Sequence, residues 1–301
     1  MLHVLCLSEQ CRDILSSLGL AQLRLVALGE LEAAFPDLAR VKSQRRLVEY
    51  YFTLTPFWPL YLLENDPGVE RVVYLDSDLW FFSSPAPLLA EQGDASVSLV
   101  PHRFPERLRG KEAYGKYNVG WLSFRRDAQG LEILRWYRDR CMEWCYDRWE
   151  EGRFADQKYL DALVESFGGV HVLGHPGANL APWNVDRHAV TGEPGNVRVD
   201  GDPLIFYHFH GLCRLFGPIC ESGLGWYCSR LTPTLRQAVY APYLQELGDV
   251  ARVVETTVRE RMLPGAPDLL STPWHSRFSG GRASDVLRLV KGAFAGSLVM
   301  G

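Results

Sequence analysis

Arg71-Val-Val-Tyr-Leu-Asp-Ser-Asp-Leu-Trp-Phe-Phe82 sets the terms on which the rest of the chain is read. Val72 to Leu75 form an apolar run of the kind expected in a central strand, and it opens straight into two carboxylates. In extended chain, Asp76 and Asp78 project to the same side. At the carboxyl end of such a strand they stand in the crevice where open α/β sheets bind ligands. Buried together without a cation they repel, and at least one pKa rises; a hard divalent ion removes that conflict and brings phosphate oxygens within reach. An ordinary Asp-rich turn has the same triplet, but the apolar approach and the aromatic exit Leu79-Trp-Phe-Phe82 favour the ligand crevice.

A second signal lies far downstream in Leu204-Ile-Phe-Tyr-His-Phe-His-Gly211. His208 and His210 share one face of the strand end, and an imidazole there completes a metal shell begun by carboxylates. Either histidine alone reads as structural. Together with the aspartates they describe a site built from two distant strands. Histidine with carboxylates suits Mn²⁺ better than Mg²⁺, and both ions remain open.

Around these signals the chain alternates strand and helix. His3 to Leu7, Glu9 to Leu18 and Leu23 to Ala27 read as β-α-β. A long helical region is expected from about Leu31 to Leu63, kinked or divided near Pro56 and Pro59, where amide donors are missing. Further strands are expected at Ala95 to Val100, Val119 to Phe124, Val170 to Leu173 and Leu204 to Tyr207. Asp127 is placed to cap a helix running from Ala128 to about Glu150, with Leu134, Tyr137, Cys141, Trp144 and Cys145 as its packed stripe. Thr232-Pro233 predicts another helix start, with Pro242 as an interruption and an end near Met262. The tail Val286 to Met300 is apolar but carries Arg288 and Lys291, which fits a packed helix, a weak peripheral membrane contact or a loose end. The expected organisation is a mixed α/β domain over residues 1–230 and a helical C-terminal extension over 231–301.

Composition narrows the function classes. The chain has 301 residues, 47% hydrophobic and 23% charged, which excludes disordered and collagenous objects. A net charge of -4 lacks the basic surface of a nucleic-acid binder. Seven cysteines without a CxxC pair, and no signal-peptide pattern, point to free thiols in a reducing, cytoplasmic compartment. No stretch is apolar for long enough to be a transmembrane segment. GxxxxGK, GxGxxG and GxSxG contexts are absent, against P-loop, dinucleotide-binding and serine-hydrolase readings.

Four motifs in order, Tyr74-Leu-Asp-Ser-Asp78, Tyr117-Asn-Val-Gly120, Asp156-Gln-Lys-Tyr-Leu160 and His208-Phe-His-Gly211, resemble the nucleotide-sugar-dependent glycosyltransferases of the GT-A fold, specifically the family 8-like group. The resemblance spans residues 3–212. Glu49-Tyr-Tyr-Phe-Thr-Leu-Thr-Pro56, Tyr117-Asn-Val-Gly-Trp121 and Asn179-Leu-Ala-Pro-Trp-Asn184 resemble a bacterial sugar-transferase subgroup. The fold implied is a mixed central sheet flanked by helices, with a helical appendage behind it. The activity implied is metal-dependent transfer of a sugar, with retention, from a nucleoside-diphosphate sugar to a glycan, lipid-linked, protein or small-molecule acceptor.

Carried over by residue, the resemblance makes Asp76 a contact to ribose and ion, Asp78 the stronger metal ligand and His208 the metal-binding histidine, with His210 at the variable position. Asn118 would contact the donor sugar, and Asp156 with Gln157 would lie against its anomeric centre and hydroxyls. Their amide and carboxylate groups suit sugar hydroxyls, although Asp156-Gln157 also reads as a polar helix start. Lys42 and Arg46, four apart in the helix before the aspartates, resemble phosphate-binding positions and equally a solvated face. The lysine usual after the histidine motif is absent; Arg214 is the nearest cation. The resemblance also implies one further strand and helix ahead of His3, carrying part of the base pocket. Rival readings are a metal-dependent nucleotidyltransferase or sugar-nucleotide hydrolase, and a catalytically silent binding protein in which Trp80, Trp121 or Trp183 stack on sugars.

Overall fold

In the computed structural model, which describes residues 1–216, 219–261 and 298–300, the strand Leu2–Cys6 runs parallel to Leu23–Ala27 across the helix Glu9–Ser17. This is the β-α-β opening expected from the sequence. Ser8 starts the helix by accepting the Cys11 N–H at 3.1 Å.

The long helical region is broken elsewhere than expected. It falls into Leu28–Ala34, Leu38–Lys42 and Leu47–Asn65, so the breaks sit beside Pro36 and between Lys42 and Leu47. Lys42 and Arg46 therefore do not share a helix: Lys42 ends one and Arg46 precedes the next. Pro56 and Pro59 lie inside the continuous Leu47–Asn65 helix. Each proline costs the helix about 3 kcal/mol. Burial of Leu54, Phe57, Trp58, Leu60, Leu62 and Leu63 offsets this, since a fully buried large apolar side chain contributes about 1.5–3 kcal/mol.

Four strands form the main ladder in the order Arg71–Leu75, Tyr117–Arg125, Val97–Pro101, Val170–Val172; the first two junctions are antiparallel and the last parallel. Arg71–Leu75, expected to be central, stands at one end of this ladder. The Leu47–Asn65 helix packs on it, and of its five residues Val72 alone is buried and the rest are half-buried, because an apolar strand can be covered by a helix as well as by neighbouring strands. Tyr117–Arg125 takes an interior place, with every residue from Asn118 to Phe124 buried. Its pairing with Val97–Pro101 shifts register between Leu99 and Val100: Leu99 faces Leu122, and Val100 already faces Asn118. Such an irregularity bends the strand locally and re-aims its side chains.

Beyond the aspartate turn the chain forms Leu79–Phe81, which pairs antiparallel with Phe206–His208; Leu79 faces His208 and Phe81 faces Phe206. Beneath this pair Trp121 stacks on Phe206 at 5.9 Å, in a cluster with Leu88, Val100 and Leu173.

Asp127 caps the next helix through Gly130 N–H at 2.7 Å, but the helix ends at Glu143, earlier than expected. Its last turn is claimed by other groups. Arg45 donates to the Met142 carbonyl at 2.8 Å, and past the end Glu49 accepts the Asp147 N–H at 3.1 Å. Cys141 and Cys145 are buried, and all seven cysteines are free thiols.

Toward the C-terminus Thr232 Oγ1 accepts the Leu235 N–H at 3.2 Å, a cap at the expected place. One wide turn, Leu235–Tyr240, then runs into the helix Ala241–Arg261, and Pro242 does not interrupt it. Leu235, Ala238, Val239, Tyr240, Tyr243 and Leu244 pack into one core with Leu180, Val199, Tyr207 and Phe209. Most of the tail expectation at Val286 to Met300 lies outside the described residues. Its last part, Leu298–Met300, is a strand antiparallel to Ile219–Glu221. No described helix is long and apolar enough to cross a membrane.

Candidate active site

The turn Asp76-Ser-Asp78 and the segment His208-Phe-His210 meet because their flanking strands are paired. The main chain continues the pairing, with Phe209 N–H donating to the Asp78 carbonyl at 2.9 Å. His208 Nε2 lies 3.0 Å from Asp78 Oδ1 and 3.9 Å from Asp76 Oδ2. The His208 imidazole is 3% exposed, whereas the Asp76 and Asp78 carboxylates are 28% and 42% exposed, so the cluster opens to solvent on its carboxylate side. Among the described residues, Asp78, His208 and His210 form one group with metal-ligand spacing, their ligating atoms all within 4.8 Å of one another. His210, at the variable position of the motif, is thus drawn in beside the residues assigned to the ion.

The electrostatics follow from crowding. Burial pushes the Asp76 carboxyl upward and the Asp78 charge adds to it, against the pull of His208. At Asp78 burial also pushes upward, but the His208 charge and hydrogen bond win and hold the carboxyl below its usual range. Burial would lower His208; the Asp78 charge and hydrogen bond, with Asp76 behind them, raise it. His210 falls to about 4 through burial and the nearby His208 charge.

The donor set accepts a divalent ion on grounds the chain itself supplies. Asn118 Oδ1 lies 3.2 Å from His208 Nδ1 and also accepts the Gly120 N–H at 3.0 Å. The Nδ1 side being so occupied, Nε2 faces two carboxylates, where a proton or a cation is required. Two carboxylates and an imidazole are hard-to-borderline ligands suited to Mn²⁺ or Mg²⁺.

The other expected residues divide into two sets. Gln157 is drawn to the cluster: its Oε1 lies 3.5 Å from Asn118 Nδ2, and its Nε2 donates to the Tyr114 carbonyl at 3.2 Å. Asp156 sits behind it, 4% exposed, hydrogen-bonded to Thr55. Burial raises its pKa to about 7; the Thr55 hydroxyl opposes this, and the Asp76 charge reinforces it. Lys42 pairs with Glu32 at 2.6 Å, and Arg46 pairs with Glu49 at 3.0 Å and Asp147 at 3.2 Å. To bind phosphate, both would have to exchange those partners. Arg214 lies in the strand Cys213–Phe216, opposite Cys220.

Residues outside the expected set support the cluster. The Tyr74 hydroxyl donates to Asp76 Oδ1 at 3.1 Å, and the Thr55 hydroxyl serves Asp156. Thr53 stands two residues away in the same helix, so the sequence does not single out Thr55. His102 is fully buried, stacked on Phe104 at 4.7 Å, and burial with the His208 charge pushes its pKa down to about 3. Trp183 donates to the His102 carbonyl at 3.0 Å and sets its ring centre 5.1 Å from that of His208 and 5.6 Å from that of His210, edge to face. Asn184 holds the same carbonyl at 2.9 Å. Trp183, read from sequence as a stacking or packing residue, is here a buried wall of the histidine pair. No pattern in a single sequence singles out His102.

Comparison with known proteins now has a geometry to attach to. No protein-family model matches the chain. Among solved structures, the galactosyltransferase LgtC, determined in complex with donor and acceptor sugar analogues, superposes with a TM-score of 0.52 at 22% identity, over 82% of this chain and 84% of LgtC. An active-site mutant of LgtC superposes with the same TM-score at 21% identity. This likeness shows the fold, which is the GT-A glycosyltransferase fold with a C-terminal helical appendage. The uncharacterized protein YfnF of Bacillus subtilis (strain 168) is 36% identical over 218 residues, 70% of this chain and 71% of YfnF. The uncharacterized protein YfnD of the same organism is 32% identical over 249 residues, 82% of this chain and 79% of YfnD. With that identity over more than two thirds of each relative, the chain belongs to the family of YfnF and YfnD.

Proposed function

We propose that the protein is a metal-dependent glycosyltransferase that moves a sugar from a nucleoside-diphosphate sugar to an acceptor hydroxyl, with retention of anomeric configuration. The observation that carries this reading is the convergence of Asp76, Asp78 and His208 at the exit of paired strands, within a fold shared with LgtC. Asp76, Asp78 and His208 would hold Mn²⁺ or Mg²⁺, which when bound supplies Lewis-acid stabilisation to a departing diphosphate. In the transfer, the bond between the anomeric carbon and the diphosphate oxygen breaks. The acceptor oxygen forms the new bond and passes its proton to the departing diphosphate oxygen. Gln157 meets the donor sugar through its amide, with Asp156 beneath it. Lys42, Arg46 and Arg214 are the cations assigned to the diphosphate.

A donor screen read by mass spectrometry, with Mn²⁺ and then with chelator, tests the proposal. Glycosyl transfer that depends on the ion is expected. Release of sugar to water alone favours the hydrolase reading, and transfer of the nucleotidyl group favours a nucleotidyltransferase. Turnover unchanged after chelation removes the ion from the mechanism.

A further inference from the structure

We propose that Asn118 is a positioning residue for the ion site: its side-chain oxygen holds the proton of His208 on Nδ1 and so presents Nε2 to Asp76 and Asp78. The proposal rests on the ion-binding reading above and gives Asn118 a role other than contact with the donor sugar.

The assignment of atoms is forced by a backbone group. Oxygen and nitrogen of an Asn amide are told apart by their partners. Here the Gly120 N–H, which can only donate, points at Asn118 Oδ1 from 3.0 Å, so that atom is the oxygen. An amide oxygen carries no hydrogen. His208 Nδ1, 3.2 Å from the same oxygen, must therefore be the donor. With its proton held on Nδ1, the ring turns Nε2 toward Asp78 Oδ1 at 3.0 Å and Asp76 Oδ2 at 3.9 Å. A ring held in the opposite tautomer would present an N–H, and no ligating lone pair, to the place an ion would occupy.

The rest of Asn118 is engaged as well. Its Nδ2 lies 3.4 Å from His102 Nε2 and 3.5 Å from Gln157 Oε1, and the residue is 6% exposed. Contact with a sugar would require giving up one of these bonds. The Asn-Val-Gly spacing acquires a reason from the same bond. A Cβ on Gly120 would stand 2.7 Å from Asn118 Oδ1 and 2.9 Å from His208 Nδ1, in the space where the two residues meet. The register shift opposite Val100 bends this strand at the same place, and Trp183 limits the ring from the side.

The test measures Mn²⁺ uptake, read from the EPR signal of the free ion, in wild type, Asn118→Asp and Asn118→Leu, with folding checked by circular dichroism. The Co²⁺-loaded proteins are compared by proton NMR, where a ring N–H on a ligating histidine gives a hyperfine-shifted, exchangeable resonance. Asn118→Asp keeps an oxygen against His208 Nδ1–H, so Mn²⁺ affinity should stay within about threefold of wild type and the resonance should persist. Asn118→Leu removes the acceptor; affinity should fall roughly 10- to 100-fold and the resonance should vanish into solvent exchange. Gly120→Ala should reproduce that loss, and carries the test if the leucine variant does not fold. Wild-type Mn²⁺ affinity in Asn118→Leu, or equal losses in the Asp and Leu variants, overturns the proposal. A wild-type protein that takes up no Mn²⁺ overturns the ion reading itself, and this inference with it, before any variant is compared.

Discussion

Phe209 donates its backbone N–H to the carbonyl of Asp78 at 2.9 Å, so the aspartate turn and the histidine segment are held in register by main chain. The pairing of Leu79 with His208 extends the same ladder. Side chains at the cluster can therefore be changed without dissolving the frame that brings them together.

On that basis His208→Ala and Asp78→Asn should each weaken Mn²⁺ binding more than tenfold, or about 1.4 kcal/mol, while retaining the folded circular-dichroism spectrum. His210→Ala should lose less, since Asp76, Asp78 and His208 are the assigned ligands. Titration calorimetry on the three variants decides the order. Abolished binding in His210→Ala alongside intact binding in His208→Ala would move the ion to the His210 side of the cluster.

Asp156 carries a pH signature. Its folded pKa of about 7 is raised by burial above the ordinary carboxyl value of 3.8, so between those values the folded state holds a proton that the unfolded state releases. Stability should therefore fall as pH rises from about 4 to about 7, by an amount on the order of a few kcal/mol from this group. Asn at this position stays neutral and removes that slope. In chelator, denaturant melts of Asp156→Asn and wild type should diverge with rising pH, the variant being the more stable at pH 8; parallel curves would show that Asp156 ionises freely.

Gly223 fixes a turn packed against the backbone of His210. It sits at φ +80°, and a Cβ there would meet the His210 carbonyl oxygen at 2.2 Å. Gly223→Ala should cost about 1–3 kcal/mol of stability. It should also disturb His210 more than Asp76, visible as shifted His210 ring resonances. A variant that melts like wild type would show the turn to be easily remodelled.

Gln157→Ala should lower glycosyl transfer by more than it lowers affinity for the free nucleoside diphosphate, because its amide is assigned to the sugar. Both are to be measured at saturating Mn²⁺. Equal losses would place Gln157 at the phosphates or in the frame; its bond to the Tyr114 carbonyl at 3.2 Å is the contact through which the latter would act.

What the sequence determined by itself is what depends on near neighbours along the chain. The β-α-β opening, the apolar strand running into Asp76 and Asp78, the Asp127 and Thr232 caps and the alternate spacing of His208 and His210 all follow from periods of two to four residues. Tertiary structure decided whatever depends on competition among distant groups. Arg71–Leu75 ends a ladder because a helix covers its apolar side chains, and Pro56 and Pro59 stay inside a helix because burial outweighs their missing hydrogen bonds. The helix after Asp127 stops at Glu143, where Arg45 takes up the Met142 carbonyl, and Lys42 and Arg46 are met by Glu32, Glu49 and Asp147. The bond from His208 Nδ1 to Asn118 belongs to this second class, since a proton's place on a ring is set by the partner the fold brings to it.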